Sequence, residues 1–307
     1  MTELPLGKRP PASRVQARHP ALRHIAFAGF VAAGVLLYWG PLVKLSRLSM
    51  HNELYSHFLL IPFVSLFFLY VQHTRCFEVI QPARRWGLPV ILTGIAVMVA
   101  GYQFRSHLSP NDFLSLCLTG MVCWINGGFL WFYGQKAYRE ALFPLLFLVF
   151  TIPIPDIVLE PVVRLLQVGS AHAVNGAFTM IGIPYFRDDM VFQLSGITIE
   201  VAKECSGIRS SLILVITSTI AGYMFLESAW RRIVLILAII PLTIFKNALR
   251  ITTLSLLASY VDPHWITGSW LHRSGGIVFF LIALAVLAPL LWYLKRSEIR
   301  THEATNI

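Results

Sequence analysis

The chain has 307 residues, 56% of them hydrophobic and only 13% charged, with a formal net charge of +10. Soluble globular domains carry about 25% charged residues, so the composition excludes an ordinary soluble domain and indicates an all-α polytopic membrane protein. The basic residues sit in short clusters between apolar runs, the pattern of membrane-protein loops rather than of a nucleic-acid-binding surface.

Residues 1–24 are proline-rich and basic, with Lys8, Arg9, Arg14, Arg18 and Arg23, and are expected to form a disordered cytoplasmic tail. No small-residue cleavage site follows the first apolar run, so no cleavable signal peptide is expected. A membrane domain is expected over residues 25–296. Its apolar runs at about 25–43, 57–72, 88–104, 113–133 and 141–152 are compared with the ~20 residues that cross a bilayer. Pro153 and Pro155 stop the last of these.

Residues 153–205 are the largest segment between spans. Over 156–181 the spacing is helical, with Val158, Val162, Leu165 and Leu166 on one face and Glu160, Arg164 and Gln167 elsewhere. The Arg and His content favours an interfacial helix over a full span. After the break Gly182-Ile183-Pro184, residues 185–201 alternate around Asp188-Asp189 and Ser195-Gly196, which predicts a short β-hairpin on the membrane.

Further spans are expected at about 208–226, from 233 onward, and at 277–294, making eight, with 297–307 as a second tail. The amino tail, the loops 73–86, 134–140 and 227–232, and the residues from 295 onward hold 15 of the 25 Lys and Arg. The positive-inside rule therefore places both termini in the cytoplasm and segment 153–205 outside.

The four cysteines, Cys76, Cys117, Cys123 and Cys205, form no CxxC pair and have no histidine at metal-finger spacing, so no disulfide framework, metal or other cofactor is expected. Cys117 and Cys123 lie inside an apolar run and suit packing. Cys205 differs. It belongs to the polar stretch Lys203-Glu204-Cys205-Ser206-Gly207-Ile208-Arg209 at the mouth of a span. With a helix starting near Ser206, the unpaired N–H groups would favour a thiolate at Cys205, and Arg209 would add positive charge. The plainer alternative is a capping segment with Arg209 snorkelling to the interface.

Two more polar sites fall on the same side: Lys246-Asn247-Ala248-Leu249-Arg250, and His272. A cysteine nucleophile needs an acid–base partner, which His272 could supply, and a donor where oxyanion charge develops, which Arg250 could supply. Asn247, one turn before Arg250, would orient it or donate to substrate. Arg250 as an interfacial anchor and His272 as an ordinary loop histidine remain open on these residues alone.

The stretch Cys205-Ser206-Gly207-Ile208-Arg209, the run Asn247-Ala248-Leu249-Arg250-Ile251, and His272 before a small-residue pair resemble the exosortases. Tyr55-Ser56-His57-Phe58-Leu59-Leu60-Ile61-Pro62, Leu166-Gln167 and Gly182-Ile183-Pro184 are similar as well, and the resemblance covers about residues 50–295. Many members have Gly where this chain has Phe58, and some carry an appended soluble domain that has no counterpart here. The resemblance implies a multipass bacterial inner-membrane cysteine peptidase and transpeptidase with catalytic Cys205, Arg250 and His272, supported by Arg209, Asn247 and Ser206. It implies substrates among exported proteins that end in a Pro-Glu-Pro-type signal, a transmembrane helix and a basic tail. A surface polysaccharide is a candidate acceptor. Glu200 and Glu204 would shape the cleft or simply rim it. The competing expectations are a non-catalytic or transport component of an exopolysaccharide export system, or a membrane acyltransferase centred on histidine. Against transport, the carboxylates cluster in loops rather than mid-span.

Overall fold

Among the described residues of the computed structural model, seven helical segments are long and apolar enough to cross a membrane, or eight if one bent pair counts as a single span. The structure describes residues 20–51, 53–78, 80–262, 264 and 270–305, and all their side chains except those of 20, 53, 204, 205, 270–276 and 302–305. Most of the expected amino tail and most of the 261–271 loop lie outside the described residues.

In chain order the helices are α1 (Pro20–Leu37), α2 (Trp39–His51), α3 (Ile61–Val71), α4 (His73–Phe77), α5 (Arg84–Gln103), α6 (Pro110–Tyr133), α7 (Gln135–Glu140), α8 (Leu142–Phe147), α9 (Asp156–Ile181), α10 (Ile208–Phe225), α11 (Ala229–Leu237), α12 (Ile239–Tyr260) and α13 (Trp270–Thr305). Short 3₁₀ turns cover Glu53–Leu59, Leu148–Thr151 and Lys203–Ser206. The strands β1 (Tyr185–Asp188), β2 (Val191–Leu194) and β3 (Ile197–Glu200) form an antiparallel sheet in sequence order.

Two helix breaks share one cause. Pro41 has no N–H to give the carbonyl of Leu37, and Pro241 has none for that of Leu237. α1 and α11 end at those two residues. At the first break the axis of α2 departs from that of α1 by 73°. At the second, residues 229–260 still qualify as one span.

By length and composition the candidate spans number as many as expected, with 156–181 among them in place of 141–152. Asp156 is nevertheless bonded to Asn111, at the end of the bundle opposite the 134–140 connection, so the 141–152 run still carries the chain from one end to the other. The run at 141–152 forms only α8 and a 3₁₀ turn, shorter than the spanning helices. The segment expected to be interfacial forms the continuous 26-residue α9, which is long and apolar enough to cross. The expected hairpin has a third strand, and the last helix runs on through much of the expected carboxy tail to Thr305.

α5 and α6 approach each other closely through glycines on both helices. A Cβ at Gly94 would lie 2.6 Å from the carbonyl oxygen of Gly120, so only small residues let these backbones meet. At one end of the bundle the 3₁₀ turn after α2, the α5–α6 turn and the start of α9 are bonded together. The Tyr55 hydroxyl donates to Asn111 Oδ1 at 3.1 Å. Asn111 Nδ2 donates to the Ile154 carbonyl and to Asp156 Oδ1, each at 2.7 Å, and Ser109 Oγ donates to Asp156 Oδ2 at 2.6 Å.

The opposite end carries the 73–86, 134–140 and 227–232 connections. There Arg231 pairs with Glu298 at 3.2 Å, and Glu298 also accepts the N–H groups of Glu227 and Ser228.

The sheet is held against α9 and α12. Ala171, Val174 and Phe178 of α9, Phe192 and Leu194 of β2, and Ala248 and Ile251 of α12 share one buried cluster. Phe192 and Leu194 point inward while Gln193 between them is exposed, as strand alternation requires. Burying a side chain such as Phe178 or Phe192 contributes about 2 kcal/mol, enough to fix the register of so short a sheet.

Candidate active site

The chain reaches Cys205 from a pinned strand end. The Val201 N–H donates to the Met190 carbonyl at 3.0 Å, and the Val201 carbonyl accepts from Gln167 Nε2 of α9 at 3.0 Å. The backbone then turns through Lys203–Ser206 and passes Gly207 in the left-handed region, at φ 78°, before α10 begins at Ile208. The span starts at Ile208 as expected, and Cys205 lies on the 3₁₀ turn before it rather than at the end of the helix itself. A non-glycine residue in that conformation costs roughly 1–2 kcal/mol.

Gly207 rests on α12. A Cβ built there would lie 3.5 Å from Thr243 Cγ2 and 3.6 Å from Asn247 Cγ, ordinary contact distances. The glycine therefore answers a backbone requirement rather than a lack of space. Ser206 is fully buried, and its Oγ accepts the Ile208 N–H at 3.4 Å. Ser210 Oγ donates to the Gly207 carbonyl at 2.9 Å, and Ser211 Oγ donates to that of Ile208 at 2.7 Å.

On α12, Asn247 is 1% exposed and donates through Nδ2 to Ser170 Oγ of α9 at 3.0 Å. Lys246, also buried, donates to Ser210 Oγ. Arg250 follows Asn247 by one turn and is half-buried. Arg209 is exposed and lines a cavity of about 1060 Å³ with Lys203, Ile208, Gln167 and Arg164. Through His51 and Asp156 this cavity adjoins another of about 750 Å³ that contains Lys44, Arg47 and Arg105. Glu200 is exposed on β3 and does not line the larger cavity.

Of the residues singled out from sequence, the Cys205 backbone, Ser206, Arg209 and Asn247 are brought together around Gly207, with Arg250 further along the same α12. His272 lies in the first turn of α13, which packs on α12. The side chains of Cys205, Glu204 and His272 lie outside the described residues. Sequence reasoning missed Ser170 as the partner of Asn247, Gln167 as the anchor of Val201, and the left-handed role of Gly207. The polar pair Gln167 and Ser170, about one turn apart on α9, was the available signal.

The transmembrane exosortase family model matches residues 49–289, which takes in every element of this site. No curated protein and no solved structure matches the chain. The fold supplies the multipass helical frame that the match implies, and the chain belongs to the transmembrane exosortase family.

Proposed function

We propose that this exosortase is a membrane cysteine peptidase and transpeptidase that cleaves a carboxy-terminal sorting signal of exported proteins. Cys205 attacks a backbone carbonyl of the signal. Arg250, with N–H groups near Ser206 and Gly207, meets the developing oxyanion. His272 gives a proton to the departing amine, and the acyl group remains on sulfur as a thioester. Water or an amine or hydroxyl nucleophile from a surface acceptor then releases it. A Pro-Glu-Pro-type motif followed by a transmembrane helix is the signal that the family resemblance favours, and a surface polysaccharide is a candidate acceptor. The site end would face away from the cytoplasm of a bacterial inner membrane, because the basic connections gather at the other end.

The observation that carries this reading is the seating of Gly207 on Asn247. It holds the Cys205 turn against the helix that bears Arg250. The test is co-expression with a tagged protein that ends in such a signal. Processing by the wild type, lost separately in Cys205→Ala, Arg250→Ala and His272→Ala, supports it. Processing that survives Cys205→Ala refutes the thiol mechanism. Loss only at His272 would instead favour the acyltransferase reading.

A further inference from the structure

Lys246 lies within the span formed by α11 and α12, and only 4% of its surface is exposed. An ammonium group in such a place is costly and calls for both a partner and a task. Its hydrogen-bond partner among the described residues is the neutral Ser210 hydroxyl, and among those residues no carboxylate pairs with it. The Ser210 hydroxyl donates in turn to the Gly207 carbonyl. The charge is thus joined by two hydrogen bonds to the residue two places after Cys205, while the neighbouring Asn247 supports Gly207 from below. Consecutive residues of α12 hold the same turn, one by packing and one by charge.

We infer that Lys246 is a positioning residue for the thiol chemistry. Its buried positive charge, held by Ser210 beneath the Cys205 turn, favours the ionised sulfur and finds there a counter-charge that the described residues do not otherwise supply. This rests on the reading of Cys205 as the nucleophile. A cation near a cysteine raises the thiolate fraction, and thiolate is the attacking species. Glu204 adjoins Cys205 in sequence, and among the described side chains the other charged groups are Arg250 beside Lys246 on the same helix, Lys203 and Arg209 beside the cleft, and Glu160 and Arg164 of α9 across it. All remain in place in the variants below, so a change reports on Lys246.

The experiment uses the full chain with Cys76, Cys117 and Cys123 replaced by alanine, so that Cys205 is the sole thiol. Its alkylation by iodoacetamide is followed against pH in detergent micelles. Lys246→Met should raise the midpoint by about one pH unit, which is about ten-fold slower alkylation near neutrality with the same plateau rate. Lys246→Arg should restore the wild-type profile. An unchanged midpoint in Lys246→Met overturns the inference, as does a shift in Lys246→Arg equal to that in Lys246→Met. Size-exclusion profiles monitor folding, and Lys246→Gln replaces the methionine variant if that one aggregates. A midpoint that stays put while Cys205 remains essential for processing removes only the role of Lys246. Processing that survives Cys205→Ala removes the underlying reading as well.

Discussion

Asn247 and Ser170 meet across two helices, the amide Nδ2 donating to the hydroxyl at 3.0 Å with both side chains almost wholly out of solvent. The bond ties α9 to α12 at the level where Gly207 rests on Asn247. It therefore links the sheet-bearing segment to the proposed catalytic turn. Asn247→Ala should destabilise the protein by about 1–3 kcal/mol, the cost of leaving a buried hydroxyl without its partner. Ser170→Ala should cost less, and the double variant should cost less than the sum of the two. Thermal unfolding in detergent measures all three.

Gly207→Ala tests the turn itself. The added methyl group meets Thr243 and Asn247 only at ordinary contact distance, so the cost is the left-handed backbone, roughly 1–2 kcal/mol. If the chain relieves that strain by shifting the turn, Cys205 moves with it. Processing should fall by about ten-fold or more while the protein remains folded, because small misplacements of a nucleophile are expensive in rate. Wild-type processing by Gly207→Ala would mean that the turn tolerates repositioning.

The buried pair of Arg231 and Glu298 provides the contrasting case. Glu298→Gln should leave the guanidinium without its counter-charge and loosen the start of α11, whose approaching N–H groups Glu298 accepts. The expected loss of stability is about 3 kcal/mol. The pair lies at the end of the bundle opposite the cleft, so processing per folded molecule should stay near wild type.

Cys76, on α4, is fully buried, and burial, with Glu140 nearby, pushes its thiol up to about 11. The folded protein should therefore leave Cys76 unlabelled by maleimide at neutral pH, and denaturation should expose it. The sign for stability follows from the raised value. The contribution is fully present below the unfolded thiol value near 9 and is lost as pH rises toward 11. Unfolding midpoints should fall across that interval in the wild type and fall less in Cys76→Ala.

Much of this was legible in the chain. Span positions follow from apolar runs because a bilayer admits few other solutions, and both proline-linked helix breaks carry their cause in Pro41 and Pro241. The polar stretch around Cys205 and the Asn247–Arg250 run stand out because such residues are costly beside hydrocarbon. Two features were not legible, for reasons of distance and conformation. Ser170 is 77 positions from Asn247, and no local pattern joins them. The turn that carries Cys205 ahead of α10 depends on the left-handed dihedral of Gly207, which a glycine permits but does not announce.

The most direct measurement is to trap the acyl-enzyme. Purified protein is mixed with a peptide that contains the sorting signal, quenched in acid, digested and analysed by mass spectrometry. The peptide's amino-terminal fragment should be found on Cys205, released by hydroxylamine and absent from Cys205→Ala. Peptide cleavage by Cys205→Ala at the wild-type rate, with no adduct on the wild-type cysteine, would contradict thiol catalysis at this site.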